Sequence, residues 1–284
     1  DDHAPELAVD RLLRRLESKD LAGRLAAVDR ERREAPALVE ELLAHPAPPA
    51  GDARYATPEV VWRLLDVSRD HEPQPALRQL GLARKIAIHL AALRPAAALP
   101  MQLRVEVDCE TAHRLLDAGE LPAAAAQLSA SAARLRPELG YARAVFCRAL
   151  ARLRRAEERW EEALALGDRA LHLFEEHAAA RESAAAAVEQ AWTLLDAGDA
   201  DEAVPIFERA LAQVEAVPYA AVAGRLGLAI ALRENGQAAG ALERRTIEKL
   251  LAEAEWMLGQ ATIAADRSRL RCLVAQAAAR CRRG

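Results

Sequence analysis

The chain has 284 residues, 39 basic against 43 acidic side chains and a net charge of −4, so its overall charge gives no argument for nucleic acid or an anionic membrane as partner. Hydrophobic residues make up 52% but aromatic ones only 4%, and a core of Ala and Leu suits close-packed helices better than strands, which favour β-branched and aromatic side chains. No apolar run approaches the roughly 20 residues needed to span a bilayer, and no charged-then-apolar leader opens the chain, so a membrane protein is disfavoured.

Three lysines stand against thirty-six arginines, which with the abundant alanine reads as a GC-rich bacterial genome. Cys109, Cys147, Cys272 and Cys281 have no CxxC spacing, which fits reduced thiols in a cytoplasmic protein. The first residue is Asp1 and not Met, as expected if an upstream segment has been removed.

Residues 5 to 45 read as helical but out of frame with the helices after them. The Pro-rich stretch HPAPPAGDARYA then marks the boundary between an N-terminal helical segment, 1–50, and a repeat array, 51–284. Over 57–93 the spacing predicts a helical hairpin: Thr57 caps, Pro58 takes the first helical position, His71 turns, and Ala76 and Ala83 are its small residues.

Between 100 and 259 the repeats are clearest. LLDAGELPAAAAQL at 115–128 returns as LLDAGDADEAVPIF at 194–207. Gly119, Glu158, Gly198 and Gly236 each have an Ala seven residues before and five after, at successive steps of 39, 40 and 38 residues. Each unit reads as helix, short turn, helix. Apolar residues recur at helical spacing, as in Ala191, Leu194 and Leu195, Gly supplies a left-handed C-cap, and an acidic residue or Pro opens the second helix. The paired alanines let the two helices approach closely, so a large residue at Ala112 or Ala203 should be costly. Trp62, Trp160 and Trp256 are expected to pack between hairpins. The same frame places Ala277 seven residues before Gly284, as in a truncated or degenerate last repeat with Arg280, Arg282 and Arg283 as a polar cap.

These hairpins resemble the tetratricopeptide repeat (TPR), with Ala170 and Ala210 in its last small position and Phe207 in its aromatic one. Ser131 and Glu248 depart from the pattern, and the steps are longer than usual. The resemblance implies an all-α fold, a right-handed superhelical solenoid whose first helices line a concave groove. Carried over residue by residue, the groove positions include Cys109 and His113; Arg148, Arg152 and Arg155; Val188 and Trp192; and Leu226, Ile230 and Arg233. A basic stripe beside an apolar one suits a protein or peptide with acidic and apolar segments. The blander reading makes the arginines a solvated face paired with neighbouring acids, and Trp192 core. The Lys/Asn clamp of chaperone-tail-binding repeats is missing from these positions.

No GxSxG, P-loop or GxGxxG sequence occurs, and His172 and His177 lie five apart on a helix, pointing in different directions, so no enzyme, cofactor or metal site is expected. The short RLRR run at 152–155 carries no interleaved aromatics, and nucleic acid is disfavoured. The expected function is a non-enzymatic scaffold or sensor module, part of a larger bacterial regulatory protein or complex. The alternatives are a structural subunit binding through its convex or edge surface and, more remotely, a nucleic-acid-associated regulator.

Overall fold

A computed structural model describes residues 19–45, 52–69, 71–95, 97–213, 218–235 and 241–260. The Gly236 turn, the terminal frame at Gly284 with its arginines, Cys272 and Cys281 lie outside the described residues. Those described are all-α. The helices are α1 (Lys19–Ala44), α2 (Pro58–Arg69), α3 (Pro73–Leu93), α4 (Ala98–Asp117), α5 (Leu121–Ala132), α6 (Gly140–Ala156), α7 (Trp160–Glu176), α8 (Ala180–Ala197), α9 (Ala200–Leu211), α10 (Pro218–Glu234) and α11 (Ala241–Gln260).

Each helix packs on the next in sequence, and hairpins α2–α3, α4–α5, α6–α7, α8–α9 and α10–α11 stack in order. The first helices also touch across the stack, α2 on α4, α4 on α6, α6 on α8 and α8 on α10, while among the described residues no two second helices make an extensive contact. First helices drawn together and second helices splayed apart curve the stack, with the first helices on the inside. This is a solenoid of TPR-like hairpins.

The turns have a common backbone cause. After α4 the N–H of Glu120 reaches the Leu115 carbonyl at 2.8 Å and that of Gly119 reaches Leu116 at 3.0 Å, a Schellman ending that needs a left-handed residue. Gly119 (φ 78°) and Gly198 (φ 98°) supply it at no steric cost, whereas Glu158 (φ 60°) and Ala178 (φ 51°) adopt it with a side chain. Glu158 thus occupies the conformation of Gly119, as the repeat frame requires. At the entrance of α2 the N–H of Val60 donates to Thr57 Oγ1 at 3.3 Å, the expected cap.

The small positions are where the helices meet. Ala76, Ala83, Ala112, Ala124, Ala170 and Ala203 have no exposure that matters, and Ser131 is equally buried. Three residues of α1, Ala35, Val39 and Leu42, share one apolar cluster with Val60, Leu64 and Leu80 of the first hairpin. Tyr55 ties the connecting loop to α1 by donating to Glu41 Oε1 at 2.7 Å. The tryptophans divide differently from expectation: Trp256 is 67% exposed and Trp62 36%. The buried face of α11 is formed by Ile247, Leu250, Leu251, Ala254 and Met257, and Trp256 falls off that face. Helix α10 is apolar nearly all round, with residues 220–232 buried except for a half-buried Arg225.

Candidate functional site: the inner face of the first helices

The inner face of α2, α4, α6 and α8 carries a continuous chain of charged side chains. Arg69 Nε of α2 reaches Glu110 Oε2 of α4 at 3.4 Å. Glu110 accepts from Arg114, one turn on, at 2.8 and 2.9 Å, and Arg114 Nη1 stands 3.6 Å from Asp117. Arg152 Nη2 of α6 donates to Asp117 Oδ1 at 3.1 Å. From α6 to α8, Arg148 grips Glu189 with two bonds of 2.7 and 3.0 Å. Seven residues on, Arg155 donates to Asp196 Oδ2 at 2.8 Å, and its guanidinium lies 5.6 Å over the Trp192 ring. The seven-residue interval, two helical turns, puts both α6–α8 rungs on one face and in one register.

Burial makes these pairs electrostatically strong. It would raise the Glu189 carboxyl, but Arg148 beside it and Arg152 beyond override that and hold the pKa at about 2. Glu110 follows the same pattern: burial opposes ionisation, while His113 beside it and the charges of Arg69 and Arg114 hold it well below the usual carboxylate range. His113, 8% exposed, is pushed down to about 4 by burial and then by Arg152, against the pull of Glu110. It is therefore neutral at pH 7, with Nδ1 3.9 Å from Glu110 and Nε2 buried without a hydrogen-bond partner. Burial also raises Glu106, which accepts from Gln102 at 2.9 Å and has the Trp62 indole beside it. The Tyr141 hydroxyl sits in the field of Glu106, Glu182, Arg69 and Arg148, all on first helices, after burial has lifted its pKa to about 12.

The expected groove residues thus separate. Arg148, Arg152 and Arg155 converge on the inner face, each paired with an acid on a neighbouring first helix. Val188, Leu226 and Ile230 are buried at 2%, 0% and 1%, in one apolar cluster with Phe207. Trp192 is 8% exposed and spends its polar edge internally: Nε1 donates to the Ala223 carbonyl at 3.1 Å, and its ring meets Phe207 edge-on at 6.0 Å. Cys109 is fully buried and its thiol raised well above its ordinary value, while Arg233 is half-buried at the end of α10. Helix α10 stands between α8, α9 and α11, so its supposed groove side chains are core.

Residues that sequence reasoning did not place there also belong to this face: Trp62, Arg69, Glu110, Arg114, Tyr141 and Glu189. Arg148 with Glu189 and Arg69 with Glu110 are both 41 residues apart, near one repeat, and opposite charges at that interval were a readable signal. Among the described residues no three His, Cys, Asp or Glu side chains form a metal-binding group. His172 pairs with Glu176 at 3.2 Å on an exposed surface.

No protein-family model matches the chain, and no curated protein matches it. Among solved structures it is similar to a protein from Podosopora anserina, assigned as a kinesin light chain with nearly identical TPR-like repeats. That match has 19% identity over 72% of this chain and 97% of the other, with a TM-score of 0.42. A form of the same protein with a single substitution matches over 71% and 95%, again at 19% identity and 0.42. BtubC (BKLC) of P. vanneervenii matches at 16% identity over 82% of this chain and 92% of its own, with a TM-score of 0.49. The TPR-like character stands on the chain's own hairpins, turns and small-residue contacts.

Proposed function

We propose that this chain is a non-enzymatic scaffold that holds a protein or peptide against the inner face of α2, α4, α6 and α8, as part of a larger bacterial, cytoplasmic regulatory assembly. The observation that carries the reading is the cross-helix charge chain from Arg69 to Asp196. Half-buried arginines and acids, with Trp62 and Tyr141 at one end, concentrate on the one face where successive hairpins converge. Arg, Trp and Tyr are the side chains most enriched at binding hot spots. A partner with acidic segments would compete with Glu189, Asp117 and Asp196 for Arg148, Arg152 and Arg155. Its apolar segments would meet Trp62 and Tyr141, since Val188, Trp192, Leu226 and Ile230 are committed to the core. A catalytic role finds little footing in side chains that spend their polar atoms on each other: the buried histidine is neutral and the buried thiol is far from a thiolate.

Binding through the outer surface is a second reading, favoured by an open cleft between α7, α8 and α9 lined by Leu171, Glu175, Ile206 and Arg209. Affinity capture from the source cells separates the two. The double variant R148E/R152E should lose the partner that the wild-type chain retains. The charge-swapped variant R148E/E189R keeps the rung and serves as the folding control, read by thermal unfolding. Retention of the partner by R148E/R152E at unchanged recovery would discard the inner-face reading.

A further inference from the structure

Where α4 meets the second helices α3 and α5, a different cluster surrounds Asp108, whose carboxylate is completely buried. Gln127 Nε2 of α5 donates to it at 2.7 Å, Arg134 Nη1 lies at 3.3 Å and Arg84 Nε of α3 at 3.4 Å. Arg104 stands one turn before Asp108 on α4, and its Nε is shut off from solvent without a hydrogen-bond partner. A single guanidinium would balance the buried carboxylate, yet Arg84 and Arg134 both reach it and Arg104 stands in their common field. Among the described residues no other acid acts on Arg104: the charges that reach it are those of Arg134, Asp108 and Arg84. Burial first, and then the two neighbouring arginines, lower its pKa below the ordinary guanidinium value, against the pull of Asp108. The cluster carries two positive charges in excess, and it is open to solvent at its rim. The Arg84 side chain is 37% exposed and that of Arg134 23%.

We propose that Arg84, Arg104 and Arg134 form a binding site for a tetrahedral oxyanion of the phosphate class. A dianion at the rim would neutralise the excess charge, that of Arg104 included, and use the forked geometry by which guanidinium groups hold phosphate. Asp108 holds Arg84 and Arg134 in place from beneath. The site lies on the opposite flank of α4 from the α6 helix that carries Arg148 and Arg152, so its occupant need not contact the inner face. The same chemistry is offered by free phosphate and by a phosphorylated side chain of a protein partner.

Calorimetric titration of the full chain with inorganic phosphate at constant ionic strength, with a phosphoserine peptide as a second arm, tests the site. The wild-type chain should bind with a stoichiometry of one. R104Q and R84Q should each weaken binding at least about tenfold, as loss of a charge-assisted hydrogen bond predicts. R84Q removes one of the two guanidinium contacts to Asp108 and leaves the Gln127 and Arg134 bonds intact, so with thermal unfolding measured alongside it separates lost binding from lost folding. Tighter binding of the peptide than of phosphate assigns the site to a protein-borne phosphoryl group, and equal or weaker binding assigns it to the free anion. No saturable binding in either arm, or an affinity unchanged by R84Q, would overturn the proposal.

Discussion

At the scale of single residues, the inner face is governed by paired charges whose neighbours set their ionisation. Arg148 and Glu189 are 26% and 21% exposed, wet enough to soften their attraction but dry enough that a lone survivor would be poorly solvated. A double-mutant cycle with R148Q and E189Q should therefore return a coupling energy of about 1–2 kcal/mol in urea unfolding. Coupling near zero would mean that solvent screens the rung.

The pH dependence follows from the depressed pKa values of His113, Glu189 and Glu110. His113 takes up its proton at about 4 in the folded chain and near 6.5 when unfolded, so the unfolded chain binds more protons between those values. Stability is then complete above about 6.5 and falls as the pH drops to about 4, by on the order of 3 kcal/mol. Glu189, moved from 4.5 to about 2, adds a second loss in the interval below. Urea unfolding between pH 7 and 4 should show this slope in the wild-type chain and a much flatter one in H113Q. An equal slope in both would place the titration elsewhere.

At the scale of elements, the hairpin turns were readable and the neighbours of α10 were not. The alanine frame located Glu158 as the counterpart of Gly119, and both residues have positive φ. The same ending at Ala178, between α7 and α8, left no mark in the sequence, because alanine is too common here to single out a turn. Replacing Glu158 or Ala178 by Gly should stabilise the chain by up to about 1 kcal/mol, since relief of the left-handed strain exceeds the entropy that Gly costs. Gly119→Ala should destabilise it by about the same amount. All three are read by thermal unfolding, and a loss of stability in both E158G and A178G would contradict the backbone account.

Helix α10 shows why a transferred repeat position can mislead. Position predicts which way a side chain points along an ideal array, but not what stands in front of it. The near absence of polar residues in Ala220–Leu232 was the available sign that this helix is enclosed. Its packing is tight at Gly227, where an added Cβ would lie 2.2 Å from Cζ of the buried Phe207 ring. Gly227→Ala should therefore cost about 1–3 kcal/mol. Gly140→Ala should cost far less, because the atom met there belongs to the exposed His177 ring, which can swing away.

At the scale of the whole molecule, the curvature and the charge chain are one feature. First helices meet only because the small residues let hairpins close, and that closeness brings Arg148, Arg152 and Arg155 within reach of acids on α4 and α8. The solenoid was legible because each hairpin repeats its small residues and turn. The surface was less so, because charge pairing joins residues on different repeats and leaves no local pattern. Among the described residues, the four clusters of buried apolar side chains each span neighbouring hairpins, as expected where stability comes from nearest-neighbour contacts.

The central claim, that the inner face is where a partner sits, is most directly tested by position-specific photo-cross-linking in the source cells. A benzoylphenylalanine at Tyr141, on the inner face, is compared with one at Glu175, on the rim of the outer cleft. The account predicts a discrete cross-linked species at Tyr141 and none at Glu175. Cross-linking at Glu175 alone would contradict it.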